Sequence, residues 1–282
     1  MWSRRTLLAA SALALTRRAA ADQTQAAPAR MATGATTLPI EISDYPLVFI
    51  MLTVQGRPVR ALIDTGSAAP VRLSLRLAQE LKLPLEPVPG AMVQGLDGRR
   101  LSVRRGSVET LELGGVTAQT VEVEVAGDRV ESVAAQVGTP FDVMLGWAFL
   151  SRYNFVLDYR KRLLVLSHSA LAAPPGLGAA IPYSVVNRLP VVQAKVAGQD
   201  VQLLLDTGAP MCNLDASFAQ TPAGQIVSRE LLLDGRPLAV DWRVKDLAVT
   251  RQALGTVGTL GNNLLGLYAV HVDTRGRTVT LN

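Results

Sequence analysis

Two aspartates in this chain end short apolar runs and begin the same turn sequence. Asp64 follows Ala61-Leu62-Ile63 and opens Asp-Thr-Gly-Ser, whereas Asp206 follows Leu203-Leu204-Leu205 and opens Asp-Thr-Gly-Ala. Each apolar run predicts the end of a buried strand, and each Asp-Thr-Gly predicts the turn that follows it. Two carboxylates that meet in a half-dry site cannot both ionise, so one can accept a proton from water while the other donates one. The matching surroundings therefore indicate a shared acid–base site, although one copy alone would indicate only a turn.

The two motifs lie inside a longer internal repeat. In both copies a turn glycine, Gly56 or Gly198, stands eight positions before the aspartate. A later apolar run ends in Leu145-Gly146 in the first copy and in Leu260-Gly261 in the second. The aspartate and this later glycine are 82 positions apart in the first copy and 55 in the second. We therefore expect the second copy to lack a strand pair or its loop.

Short strands and turns account for most of the pattern. Residues 47–54 and 59–63 predict two strands joined by a turn, and residues 155–166 predict a hairpin. One amphipathic helix is predicted over residues 74–81, with Ser74 as its cap.

With these motifs in place, the two copies resemble subunits of retropepsin-type aspartic proteases. The resemblance covers residues 46–166 and 186–282 and includes both Asp-Thr-Gly and both Leu-Gly motifs. It implies an all-β, two-lobed, retropepsin-like fold with few short helices. It also implies an aspartic endopeptidase that hydrolyses an extended peptide or unfolded protein with a water activated between the two aspartates. Such a reaction needs no metal, cofactor or covalent intermediate.

The resemblance carries over to the residues of both aspartate loops. Asp64 and Asp206 would form the catalytic pair, and which of them is the acid stays open because the titration belongs to the pair. Thr65 and Thr207 would exchange hydrogen bonds across the interface between the lobes.

The residues after the threonines differ between the copies. Gly66 and Gly208 would let the backbone approach the carboxylates closely. Ser67 can donate a hydrogen bond that favours the ionised carboxylate, whereas Ala209 cannot. We therefore expect Asp64 to be the more readily charged aspartate, and the activity optimum to be less acidic than that of pepsin.

A flap over the site is expected in the first copy. The two-glycine turn that would form it consists of Gly95, Leu96, Asp97 and Gly98. The alternative is an ordinary β-turn, and the absence of an aromatic residue in this hairpin departs from the pepsin flap. The run Leu233–Arg236 repeats the pattern, so a reduced second flap is expected at Asp234-Gly235. Few charged residues lie near either aspartate in sequence, which predicts apolar subsites.

The N-terminal residues have the features of an export signal. Arg4-Arg5 precedes a short apolar stretch, and Ala19-Ala20-Ala21 offers a small-residue cleavage site. The paired arginines resemble a twin-arginine signal, which implies export to the periplasm or secretion; an ordinary signal with incidental arginines is the alternative. No later run is apolar enough for a membrane helix, so no stable membrane insertion is expected after signal removal.

These features divide the chain into five predicted segments. They are an export signal peptide (1–21), a flexible lead-in (22–39), a first lobe (40–166), a linker (167–182) and a second, shortened lobe (183–282).

Other functions are less well supported by the sequence. The formal charge is +5, but four arginines without any acid lie in residues 1–21, and no basic cluster elsewhere predicts nucleic-acid binding. Cys212 is the only cysteine, and neither His168 nor His271 has a hydrolase or zinc motif around it.

Two alternatives remain beside a monomeric pseudo-dimer. A homodimer could build its catalytic pair from two chains, although both halves are already present in one. A non-catalytic peptide-binding or scaffold protein could also use this fold, which the shortened second unit permits.

Overall fold

A computed structural model describes residues 30–31, 34–94, 99–171, 178 and 180–282. Most of these residues lie in strands, and the helices are short, so the predicted all-β class is confirmed. The expected signal peptide lies outside the described residues.

The strands follow one another along the chain in this order: β1 (Arg30–Met31), β2 (Thr36–Pro39), β3 (Glu41–Ile42), β4 (Val48–Val54), β5 (Arg57–Asp64), β6 (Val71–Leu73), β7 (Glu86–Gln94), β8 (Arg100–Leu113), β9 (Val116–Ala126), β10 (Val143–Gly146), β11 (Asn154–Asp158), β12 (Leu163–Ser167), β13 (Ile181–Val186), β14 (Leu189–Val196), β15 (Gln199–Leu205), β16 (Cys212–Asp215), β17 (Ile226–Leu233), β18 (Arg236–Lys245), β19 (Gly258–Leu260), β20 (Ala269–Asp273) and β21 (Thr278–Leu281). The helices are α1 (Leu75–Glu80), α2 (Arg129–Val137), α3 (Trp147–Leu150), α4 (Ala216–Ala219), α5 (Ala248–Leu254) and α6 (Asn262–Leu265).

Six strands of the first half close into a barrel. The ring runs β5–β4–β8–β9–β6–β10, and β10 returns to pair with β5 in parallel. The second half forms the same ring from β15, β14, β17, β18, β16 and β19, with β19 parallel to β15. Each barrel thus places the strand that ends in Asp64 or Asp206 beside a strand that leads into the later glycine.

A third set of strands joins the two halves. The order β2–β12–β11–β20–β21–β13 places three strands from each copy side by side, with β11 and β20 at the centre. The predicted hairpin over 155–166 is confirmed as β11 and β12, but it pairs with the second half rather than with the first barrel. We call this group the interlobe sheet.

The interlobe sheet also includes residues that the sequence analysis had placed in the flexible lead-in and the linker. Thr36–Pro39, within the expected lead-in, forms its edge strand against β12. Ile181 and Pro182, at the end of the expected linker, pair with β21.

The expected second flap at Asp234-Gly235 is wrong. Strand β17 pairs with β14 as β8 pairs with β4, with Val196 opposite Leu231 and Val54 opposite Leu111. The turn at Asp234-Gly235 is therefore the counterpart of Gly114-Gly115. Among the described residues the second barrel has no counterpart of β7, which accounts for the shorter second copy.

The helices are short and lie against the barrel strands. Helix α1 begins after Ser74, whose Oγ accepts the backbone N–H of Leu77 at 3.0 Å, so the predicted cap is confirmed. Helix α2 packs Val130 and Val133 on Leu62 and Met144, on the outer face of the first barrel. Within the described ranges, no helix has the length and apolar character needed to cross a bilayer.

Candidate active site

The two aspartate loops are held by the strands that run beside them. Gly146 lies opposite Asp64 in the β10–β5 pairing, and Leu260 accepts the backbone N–H of Asp206 at 3.0 Å. A Cβ on Gly146 would lie 2.7 Å from the carbonyl oxygen of Ser67, and one on Gly261 would lie 2.8 Å from the nitrogen of Cys212. Both later glycines are therefore required because the loop backbone passes directly over them.

The two threonines link the loops to each other. The Thr65 N–H donates to Thr207 Oγ1, and the Thr207 N–H donates to Thr65 Oγ1, both at 3.0 Å. Each hydroxyl then donates across the interface at 2.8 Å, Thr65 to the Leu205 carbonyl and Thr207 to the Ile63 carbonyl. Because both threonines are buried, this closed set of four bonds fixes the relative position of the two loops.

Replacing Thr65 with Ala is expected to destabilise the fold by about 2–4 kcal/mol, because the Leu205 carbonyl and the Thr207 N–H lose their partners in a buried site. Urea unfolding would measure this, with Thr65→Ser as the control that keeps the hydroxyl. Equal losses for Ala and Ser would show that the methyl group, not the hydrogen bonds, supports the loop.

The two carboxylates meet at the pseudo-twofold axis. Asp206 packs against Gly66, where an added Cβ would lie 2.5 Å from the Asp206 Cγ. Asp64 packs in the same way against Gly208, with the same 2.5 Å to its Cγ. Each carboxylate also accepts the N–H of the glycine in its own loop at 3.0 Å. The structure therefore brings together residues that lie 142 positions apart in the chain.

Charge on the two aspartates is unequal. Burial raises the pKa of Asp64, while Arg72, the Gly66 N–H and Arg129 act in the opposite direction. Burial, followed by the charge of Asp64, raises the pKa of Asp206 to about 7. Asp64 is thus the aspartate that ionises first.

The cause of this asymmetry differs from the one expected. The backbone N–H of Ser67 contributes to lowering the pKa of Asp64, and the backbone N–H of Ala209 acts alike on Asp206. The loops therefore offer equivalent backbone donors. Burial raises both pKa values, but that of Asp64 is lowered by two arginines of the first lobe, whereas that of Asp206 is raised further by the charge of Asp64 and lowered by one cation, Lys245.

Sequence reasoning missed Asn262. This buried side chain donates to the Thr207 carbonyl at 2.8 Å and to the Pro46 carbonyl at 2.7 Å, and it accepts the Tyr159 hydroxyl at 2.7 Å. It therefore ties the Asp206 loop to the first lobe and to the interlobe sheet. The signal was available, because Asn262 replaces Trp147 directly after the repeated Leu-Gly motif.

Charged residues near the aspartates were also missed. Arg72 and Arg129 lie close enough to Asp64, and Lys245 close enough to Asp206, to lower the pKa of those carboxyls. Arg129 and Lys245 are distant in sequence from the aspartate that they influence, whereas Arg72 follows Asp64 by eight positions.

The predicted flap residues Gly95, Leu96, Asp97 and Gly98 lie outside the described residues. The strands on either side, β7 and β8, pair from Glu86–Arg105 up to Gln94–Arg100, next to that turn.

Two other candidate groups lie apart from this chemistry. Cys212 is buried, and burial raises the pKa of its thiol to about 12, so it stays protonated. In the described part of the chain, no group of three or more His, Cys, Asp or Glu side chains is arranged to hold a metal ion.

Comparison with known proteins agrees with this geometry. Residues 50–149, which include Asp64 and Gly146, match the family model described as aspartyl protease. That part of the chain is therefore similar to the aspartyl protease family. This family supports a peptidase of the aspartic type in general terms. Among curated proteins, none matches the chain.

Solved structures similar to the chain include a retropepsin-like aspartic protease from Rickettsia conorii. That match has 19% sequence identity and a TM-score of 0.34, and it covers 49% of this chain and 94% of the other.

Proposed function

We propose that this protein is an aspartic endopeptidase whose catalytic pair is Asp64 and Asp206. The observation that carries the proposal is reciprocal packing, in which each carboxylate lies against the glycine that follows the other aspartate. Reciprocal hydrogen bonds between Thr65 and Thr207 keep the pair in register. Few structural roles require two buried carboxylates to lie side by side, because their mutual repulsion is costly.

The charge difference assigns the two roles. Asp64, the first to ionise, accepts a proton from a water held between the carboxylates. Asp206, still protonated, donates to the carbonyl oxygen of the scissile peptide. The water oxygen attacks the peptide carbon to give a tetrahedral intermediate with two hydroxyl groups. When the C–N bond breaks, the amine leaves with the proton that Asp64 had taken, and Asp206 recovers its proton from one of the two hydroxyls. The Thr65 and Thr207 hydrogen bonds hold both acids in place throughout, which reduces the reorganisation that the reaction requires.

One chain supplies both aspartates, so we propose that the active unit is a monomeric pseudo-dimer. Its substrate is an extended peptide or an unfolded protein, because only an extended segment can lie along both barrels at once. We propose that the turn of Gly95, Leu96, Asp97 and Gly98 is the flap that covers this segment, and that the N-terminal signal directs the protein to the periplasm or to secretion.

The test is cleavage of an unstructured peptide by the purified protein, followed across pH. With the pKa of Asp206 at about 7, the pair holds its single proton below that pH and loses it above. We therefore expect kcat/KM to fall about tenfold per unit once pH exceeds about 7. An optimum well below about pH 4, the range of an unperturbed carboxyl, would contradict the assignment.

Cys212→Ser is the control for a thiol mechanism, and the same activity is expected from it because the buried thiol is protonated. The competing function is a non-catalytic peptide-binding protein, which the missing counterpart of β7 in the second barrel favours. Binding of the peptide without cleavage at any pH would support that alternative and reject the endopeptidase.

A further inference from the structure

Strand pairing defines the surface on which each catalytic aspartate lies. Side chains two positions apart on a strand share a face, and so do residues directly opposite on paired strands. Leu62 therefore shares a face with Asp64, and Met144 and Arg72 extend that face through the pairings Leu62–Met144 and Met144–Arg72. Glu124 follows, opposite Arg72. We call these residues, with Arg129 of α2 above them, the Asp64 face.

The second lobe repeats the arrangement with different side chains. Leu204 shares a face with Asp206, and the pairings Leu204–Thr259, Thr259–Asn213 and Asn213–Arg243 carry that face across the sheet. Lys245 stands two positions beyond Arg243 and extends the same face. We call this set the Asp206 face.

Acidic partners account for only part of the positive charge on these faces. Glu124 is engaged with Arg72 at 3.2 Å and with Arg105 at 3.7 Å. Asp241, two positions before Arg243 on β18, accepts a hydrogen bond from the neutral Ser228 hydroxyl.

The remaining cations form no close ion pair among the described residues: no carboxylate lies within 4.0 Å of Arg129, Arg243 or Lys245. At longer range the charge of Asp64 acts on Arg129, and that of Asp206 acts on Lys245. Arg243 donates to the sulfur of Met211 at 3.6 Å. Arg129 and Arg243 are half-buried and Lys245 is exposed, so all three can be reached from solvent.

Such an arrangement is costly unless something neutralises it. Burial and the charge of Arg72 lower the pKa of the Arg129 guanidinium, and the charge of Asp64 offsets them only in part. A ligand with carboxylates at these positions would remove both penalties and form charge-assisted hydrogen bonds.

We propose that the preferred substrate is an acidic peptide with at least one Glu or Asp on each side of the scissile bond. An acidic side chain on the Asp64 side is received by Arg129, and one on the Asp206 side by Arg243 and Lys245. This inference rests on the proposed function, because the two faces flank the scissile bond only if Asp64 and Asp206 perform the cleavage.

The experiment compares matched peptides that differ only in Glu against Gln at the flanking positions. We expect kcat/KM to be about tenfold higher for each correctly placed Glu, and this preference to shrink when ionic strength is raised. Arg129→Gln should remove the preference on one side of the bond, and Arg243→Gln or Lys245→Gln the preference on the other. Arg275→Gln, in the exposed turn between β20 and β21, is the matched control and should keep both.

The outcomes separate this proposal from the proposed function. Equal cleavage of Glu and Gln peptides, or preferences unchanged in all variants, would overturn the acidic substrate and leave the endopeptidase standing. If no peptide is cut, binding of the same peptides is measured directly. Tighter binding of the Glu peptides would then support acidic recognition while rejecting catalysis, and equal binding would reject both.

Discussion

Asp64→Asn and Asp206→Asn are each expected to lower kcat/KM by at least about a thousandfold, the scale of losing a positioned general acid or base. The amide keeps the size of the carboxylate and can still accept the N–H of Gly66 or Gly208, which each aspartate binds at 3.0 Å. Both variants should therefore fold. What they lose is the ability to share and exchange one proton between the two side chains. The measurement is steady-state cleavage of one peptide, with unfolding curves to check the fold.

The internal repeat supplies a matched control for this pair. Asp158 and Asp273 occupy equivalent positions in the two copies, and each accepts backbone N–H groups in a turn of the interlobe sheet. Asp158→Asn and Asp273→Asn should leave cleavage unchanged, because the amide oxygen can accept the same bonds. If only one of Asp64 and Asp206 proves necessary, a mechanism that requires a shared proton is ruled out.

Gly66→Ala and Gly208→Ala are expected to reduce kcat/KM by more than about a hundredfold, because a displacement of about 1 Å at a catalytic group has costs on that scale. The added methyl would lie 2.5 Å from the Cγ of the opposite aspartate, so that carboxylate must move. Neither glycine has a positive φ, so the effect is steric rather than conformational. Cleavage kinetics and thermal unfolding would both report it.

Each of these glycines packs against the aspartate of the other loop, which gives the prediction a specific experimental signature. Gly66→Ala disturbs Asp206, so the alkaline limb of the pH profile should move, although the substitution lies in the Asp64 loop. Gly115→Ala is the control, because a Cβ there meets only Thr36 side-chain atoms at 3.4 and 3.9 Å. A Gly66→Ala enzyme with full activity and an unmoved pH profile would show that the carboxylates do not pack as described.

Several features followed from the sequence because they depend on local pattern. An apolar triplet before Asp-Thr-Gly specifies a buried strand with a turn, and Ser74 with its helical pattern specifies a capped helix. The internal repeat then supported a fold class that a single motif could not have indicated. Because both copies carry the same strands in the same order, the all-β, two-lobed class could be predicted from their resemblance to one family.

Sequence similarity between the two copies was misleading at one turn, because strand pairing decides which turns of the two barrels are equivalent. Leu233–Arg236 repeats the letters of the first-copy flap turn, yet β17 pairs with β14 at the position where β8 pairs with β4. The strand register, which cannot be read directly from the sequence, makes that turn the counterpart of Gly114-Gly115 instead.

The sequence by itself determined the class of fold and singled out the two aspartates for which we propose the acid–base chemistry. Only the tertiary structure decided what surrounds them: the interlobe sheet, the Asn262 bridge, and the cations Arg129, Arg243 and Lys245. The physical reason is distance along the chain. Local pattern fixes each strand and turn, whereas the charge near a carboxylate depends on which distant strands close a barrel beside it.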